Sequence, residues 1–179
     1  MEIRFQNSPK ETATMSTKEL RENFLVQELT QADVLKLVYS HYDRVIIGGV
    51  KPVNKKIELP NEPELKANFF LERRELGIIN VGGKGRVEAD GVKYEIEKLD
   101  AVYLGKGTKE VSFSSADAND PASFFLISTP AHHAYPNASC TKAQAAPVNL
   151  GDISTSNKRT IYKYIHNDEI GRASCRERV

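Results

Sequence analysis

The chain has 179 residues, 25 lysines and arginines against 24 aspartates and glutamates, a formal net charge of +1 and 40% hydrophobic residues. That balance leaves no electrostatic footprint for nucleic acid or an anionic membrane, and runs such as Val45-Ile46-Ile47 fall far short of the roughly 20 apolar residues of a membrane-spanning helix. One domain of ordinary size is expected. The opening Met1-Glu2-Ile3-Arg4-Phe5-Gln6 has no secretory pattern, which points to the cytoplasm, where Cys140 and Cys175 are not expected to form a disulfide.

In chain order, Ser16-Thr17-Lys18-Glu19 is a capping box that starts a short helix with Leu20, Phe24 and Leu25 on one face. Strand signals follow at residues 34–39, 44–47, 68–71 and 77–81, each a short apolar or alternating run closed by glycine, proline or polar residues. The clearest segment is 85–96: Val87 and Ala89 alternate with charges, Asp90-Gly91 supplies a tight turn, and Val92, Tyr94 and Ile96 alternate again, which predicts a β-hairpin. Further strands are expected at 101–104, 110–113 and 123–127. This close spacing points to an antiparallel sandwich or barrel. Residues 130–156 read as a long loop, with a last strand over 160–165. The final stretch, 169–179, carries three arginines and two glutamates with no period. It resembles a translated sequencing adapter, so it is set aside from fold reasoning.

Generic phosphate and dinucleotide motifs fail. Lys84 is followed by Gly85 rather than Ser or Thr, and Gly105-Lys106-Gly107 lacks its third glycine. A different pattern fits: Glu75 with Gly82 seven positions on, the Gly91 hairpin, then Asp100 and Gly105-Lys106-Gly107 resemble the two motifs of the cupin superfamily. The resemblance implies a mainly β fold, a double-stranded β-helix or jelly roll. Where that family carries metal-binding histidines this chain has Phe69, Leu71 and Glu110. No metal is therefore expected here, Phe69 and Leu71 should fill the interior, and Glu75 should pair with an arginine.

The segments Arg21 to Val26, Tyr39 to Arg44, Phe70 to Gly77, Tyr103 to Gly107, Pro130-Ala131-His132 and Thr155 to Ile161, in that order, are similar to the N-terminal part of the 5-keto-4-deoxyuronate isomerase family. Its members are cytoplasmic bicupins of pectin and uronate breakdown. The resemblance implies an arm with a short helix over 1–30, a metal-free cupin barrel over 31–130, and a connecting loop and strand over 131–168 toward a second half beyond this chain. Zinc would be bound by that second half and by no residue of this chain. The implied reaction moves a proton between adjacent carbons of a keto-uronate through an enediol, so a cation must stabilise the enediolate oxygen and a base must carry the proton. Homo-oligomer assembly is expected, and the half alone should be inactive. The alternative is a non-catalytic sugar-binding or assembly cupin.

The substrate's carboxylate calls for a bidentate arginine, and Arg73, Arg74 and Arg44 are the candidates, with His41 beside them. The competing reading makes Arg73 and Arg74 an ion-pair network with Glu72 and Glu75, and His41 a hydrogen-bonded sheet residue. His132-His133 sits in a proline-flanked loop. No partner at ligand spacing supports a metal role there.

Overall fold

A computed structural model describes residues 1–165. The segment 169–179 and Cys175 lie outside the described residues. Among the described residues there are thirteen strands: β1 (Glu2–Arg4), β2 (Leu35–Ser40), β3 (Ile46–Val50), β4 (Ile57–Glu58), β5 (Arg74–Asn80), β6 (Gly85–Ala89), β7 (Val92–Ile96), β8 (Ala101–Leu104), β9 (Val111–Ser115), β10 (Phe124–Pro130), β11 (Ala138–Cys140), β12 (Val148–Leu150) and β13 (Arg159–Ile161). Two short helices, α1 (Pro9–Thr12) and α2 (Thr17–Phe24), lie in the N-terminal arm.

The fold follows from one turn. Asp90 and Gly91 both take positive φ, 48° and 81°, the backbone that a two-residue hairpin requires and that aspartate and glycine tolerate. Around it β6 pairs with β7, β5 with β8, β4 with β9 and β3 with β10, all antiparallel. The chain is thus one long hairpin rolled up. Its strands fall alternately into two sheets, ordered β3-β10-β5-β8 and β4-β9-β6-β7. That is the jelly-roll arrangement, the double-stranded β-helix that the motif pattern predicts. The first sheet is extended by β2 and the parallel β1 on one side and by β11 on the other.

Alternation sorts the side chains. Val50, Leu76, Ile78, Val102, Leu104, Phe124 and Leu126 of the larger sheet meet Val87, Ala89, Ile96, Val111 and Phe113 of the smaller in one buried core. The opposite face of the larger sheet carries Gly77, Ile79, Ala101, Phe125 and the 43%-exposed Ile127. The arm crosses that face at Gly49, where a Cβ would collide with the carbonyl of Leu29, so only glycine fits.

Several expectations are corrected. Residues 68–71 form no strand: Glu72 N–H bonds the Phe69 carbonyl in a turn. Phe70 and Leu71 plug the core, while Phe69 is only half-buried, because a turn does not alternate as a strand does. The 130–156 loop contains β11 and β12, the first adding to the edge of β8 and the second pairing with β13. The final strand is Arg159–Ile161 rather than 160–165. The capping box at Ser16 and Glu19 is present, and a second one, Ser8 with Glu11, starts α1. Phe24 and Leu25 remain 47% and 41% exposed, so α2 is held by its cap more than by packing.

One turn outside the barrel makes a pH prediction. The Asp33 carboxylate accepts bonds from Val53 N–H (2.8 Å), Asn54 N–H (2.9 Å) and Asn54 Nδ2 (2.6 Å). Those bonds hold its pKa at about 2, against an ordinary 3.8. A carboxyl depressed on folding stabilises above its unfolded pKa and loses that contribution as pH falls through the folded value. Urea midpoints measured between pH 5 and pH 2 should therefore fall more steeply for the parent than for Asp33→Asn. Equal slopes would assign Asp33 no share of the acid sensitivity.

Candidate functional site

At the end of the barrel where β2 and β10 finish and β5 begins, a cavity of about 200 Å3 opens between Tyr39, Arg44, Glu64, Phe70, Arg73 and Arg74. Three of the four residues singled out from the sequence are brought together here. The fourth is not: His41 is exposed, stacked on Phe5 at 4.6 Å and edge-on to Tyr39 at 5.2 Å, which separates it from the cavity by one ring.

Arg74 is the centre. It sits at an inward-facing position of β5, is 6% exposed, and donates Nε–H to Ser128 Oγ (3.1 Å) and Nη2–H to the carbonyls of Ser128 (2.8 Å) and Arg44 (2.7 Å). Its guanidinium carbon lies 5.9 Å from the centre of the Tyr39 ring, within cation–π range. Burial pushes the Arg74 pKa down to about 10. Tyr39 opposes that shift and Arg44 adds to it. The group still carries its charge at neutral pH. Arg73 bonds the carbonyls of Leu65 and Lys66 and holds the turn after Pro63–Leu65 against the mouth of the cavity.

The expected ion-pair network is absent among the described residues. Glu72 instead accepts from Asn68 N–H (2.6 Å) and Asn68 Nδ2 (2.9 Å), because the 68–72 turn presents those donors to it directly. Glu75 meets no arginine either. It alternates with the core residue Leu76, so it faces outward, where it accepts from Tyr103 OH (2.7 Å) and Thr129 Oγ1 (3.3 Å). Burial and that bond to Glu75 push the Tyr103 hydroxyl pKa up.

Zinc does not fit the donors of this barrel. The interior positions hold Leu71 and Leu76, Glu75 points away, and Glu110 is exposed. Among the described residues no three His, Cys, Asp or Glu side chains converge as ligands. His132 and His133 are exposed on the loop after β10. Asn137 caps a turn by accepting from Gly105 N–H (2.8 Å) and Thr108 Oγ1 (3.1 Å).

Reading the sequence missed Tyr39, Ser128 and Glu64. Ser128 did carry a signal: along β10 the inward positions read Phe124, Leu126, Ser128, and a hydroxyl in an apolar series marks a polar partner inside. Tyr39 and Glu64 carried none, because their proximity to Arg74 is made by the rolled topology.

Fold and site together define a jelly-roll barrel with a hydrocarbon interior and a cationic cavity at one end. The model of the KduI/IolB family matches residues 24–175, and the chain belongs to that family. It is 46% identical over 166 residues to 4-deoxy-L-threo-5-hexosulose-uronate ketol-isomerase 2 of Enterococcus faecalis, taking in 93% of this chain and 60% of that protein. Against the 4-deoxy-L-threo-5-hexosulose-uronate ketol-isomerase of Lachnoclostridium phytofermentans the identity is 47% over 165 residues, 92% and 60% of the two chains. The chain thus spans about 60% of the length of these curated relatives. Among solved structures it is similar to a cupin protein from Bacteroides fragilis, with a TM-score of 0.38, 16% identity, and 59% and 79% of the two chains covered.

Proposed function

We propose that this chain is the metal-free barrel of a zinc-dependent ketol-isomerase that converts 5-dehydro-4-deoxy-D-glucuronate to 3-deoxy-D-glycero-2,5-hexodiulosonate. The observation that carries the reading is 46% identity across 93% of the chain to a protein bearing that ketol-isomerase name. The relatives extend well beyond the matched stretch, and that remainder would supply the zinc ligands and the proton-carrying base. In this reading, residues 1–30 are an arm, 31–130 a barrel and 131–168 a connector. No helix among the described residues is long and apolar enough to cross a membrane.

The chemistry divides accordingly. A metal ion stabilises the enediolate oxygen, and a base lifts a proton from one carbon and returns it to the next. This barrel's own contribution is to fold, to offer the apolar outer face around Phe125 and Ile127 for assembly into a homo-oligomer, and to present cationic groups to an acidic sugar.

The test compares the 179-residue chain with the same barrel joined to the remaining stretch of the Enterococcus faecalis relative. Zinc content and turnover of the keto-uronate are both measured. The joined protein should hold zinc and turn over, and should lose activity to a chelator, while the chain alone does neither. A joined protein that folds and binds zinc yet leaves the keto-uronate unchanged would overturn the reading, as would turnover by the chain alone.

A further inference from the structure

We propose that the cavity between Arg44, Arg73 and Arg74 is a binding site for the carboxylate end of an acidic sugar. The acidic-sugar class rests on the proposed function, whereas the anion site rests on geometry.

Buried cations in folded proteins are paired, because desolvating a guanidinium is costly unless an opposite charge repays it. Arg74 breaks that pattern. At 6% exposure its hydrogen bonds all go to neutral oxygens, those of Ser128 and the Arg44 carbonyl, and no carboxylate pairs with it among the described residues. Its Nη1 donors have no acceptor among those residues and belong to a side chain lining the cavity. Arg73 spends one nitrogen on the Leu65 and Lys66 carbonyls, and Arg44 lines the same space from the β2–β3 turn. Glu64 is the single carboxylate among the lining residues, so three positive charges face one negative.

An anion is what this arrangement lacks. Guanidinium forks match carboxylate oxygens in pairs, and the Arg44 backbone is already fixed to Arg74 through its carbonyl. The remaining walls suit the rest of an acidic sugar: Tyr39 lines the space beside Arg74, and Phe70 and Pro130 are apolar. At about 200 Å3 the space is smaller than ordinary ligand pockets of about 300–1,000 Å3. It would therefore take the carboxylate and the adjoining part of the ring, with the far side of the sugar in water.

The experiment titrates the 179-residue chain with D-glucuronate, with D-glucose and with inorganic phosphate, following binding by calorimetry and by NMR shifts. Arg44→Gln and Arg73→Gln are titrated alongside. Both residues are exposed, so the variants should fold, which circular dichroism checks. Saturable glucuronate binding, absent for glucose and weakened roughly tenfold or more in each variant, is expected from the loss of a charge-assisted bond. Three results would overturn the site: no saturable binding of either glucuronate or phosphate, glucuronate binding untouched by both substitutions, or glucose binding as well as glucuronate does. Phosphate binding without glucuronate binding would overturn the acidic-sugar assignment. The readout needs no turnover, so loss of the isomerase reading and loss of the site are separable results.

Discussion

Asn80→Ala should unfold at a much lower urea concentration than the parent, with a loss of roughly 3–5 kcal/mol. Asn80 is fully buried at the end of β5 and ties four segments together. Its Nδ2 donates to the carbonyls of Gly83 (2.7 Å), Ile96 (3.3 Å) and Glu97 (3.3 Å), and its Oδ1 accepts from Gly82 N–H (3.1 Å) and Ser123 N–H (3.2 Å). Alanine leaves these groups without that partner in a place water does not reach freely. Each stranded buried group costs about 1–3 kcal/mol, and a total stability of about 5–15 kcal/mol makes the sum a large fraction. Asn80→Asp keeps the acceptor but sets a carboxylate against three carbonyl oxygens, so it should be no better at neutral pH. Urea titration followed by circular dichroism checks both, and a variant within about 0.5 kcal/mol of the parent would remove Asn80 from its role as the joint.

The second large effect lies in the core. Phe113 of β9 and Phe124 of β10 come from opposite sheets, are both fully buried, and meet at 5.5 Å between ring centres with a 42° tilt. Phe113→Ala removes the ring that bridges the two layers and leaves a cavity that a stiff pair of sheets cannot close. A loss of about 3–5 kcal/mol is expected. Val92→Ala, on the 54%-exposed side of the hairpin, should stay within about 0.5 kcal/mol and serves as the control in the same titration.

Much of the fold is legible in the residues because it depends on local rules. Asp90-Gly91 fixes a turn through its own backbone preference, and the alternation of Val87, Ala89, Val92, Tyr94 and Ile96 fixes which edges pair. Strand β8 is predicted to the residue, since Ala101 to Leu104 is bounded by Asp100 and Gly105. The 68–71 segment misleads for the same reason that others succeed. Four residues with two phenylalanines and a leucine look like a strand, and nothing local distinguishes a strand from a buried turn that plugs a barrel end.

The site divides along the same line. The arginine pair at 73 and 74, Arg44 and the chain's kinship to the KduI/IolB family are all written in the sequence. Which way each side chain points is not. A one-residue difference along β5 puts Arg74 inside and Glu75 outside, and its register is set by pairing with the distant β10. Local chemistry determined the Asp90-Gly91 turn, the Ser16 cap, most of the barrel strands and the family. Only the rolled topology decided that Arg74 would be buried beside Ser128 and Tyr39 while Glu75 turned outward to Tyr103, because burial and pairing depend on neighbours that are distant in the chain.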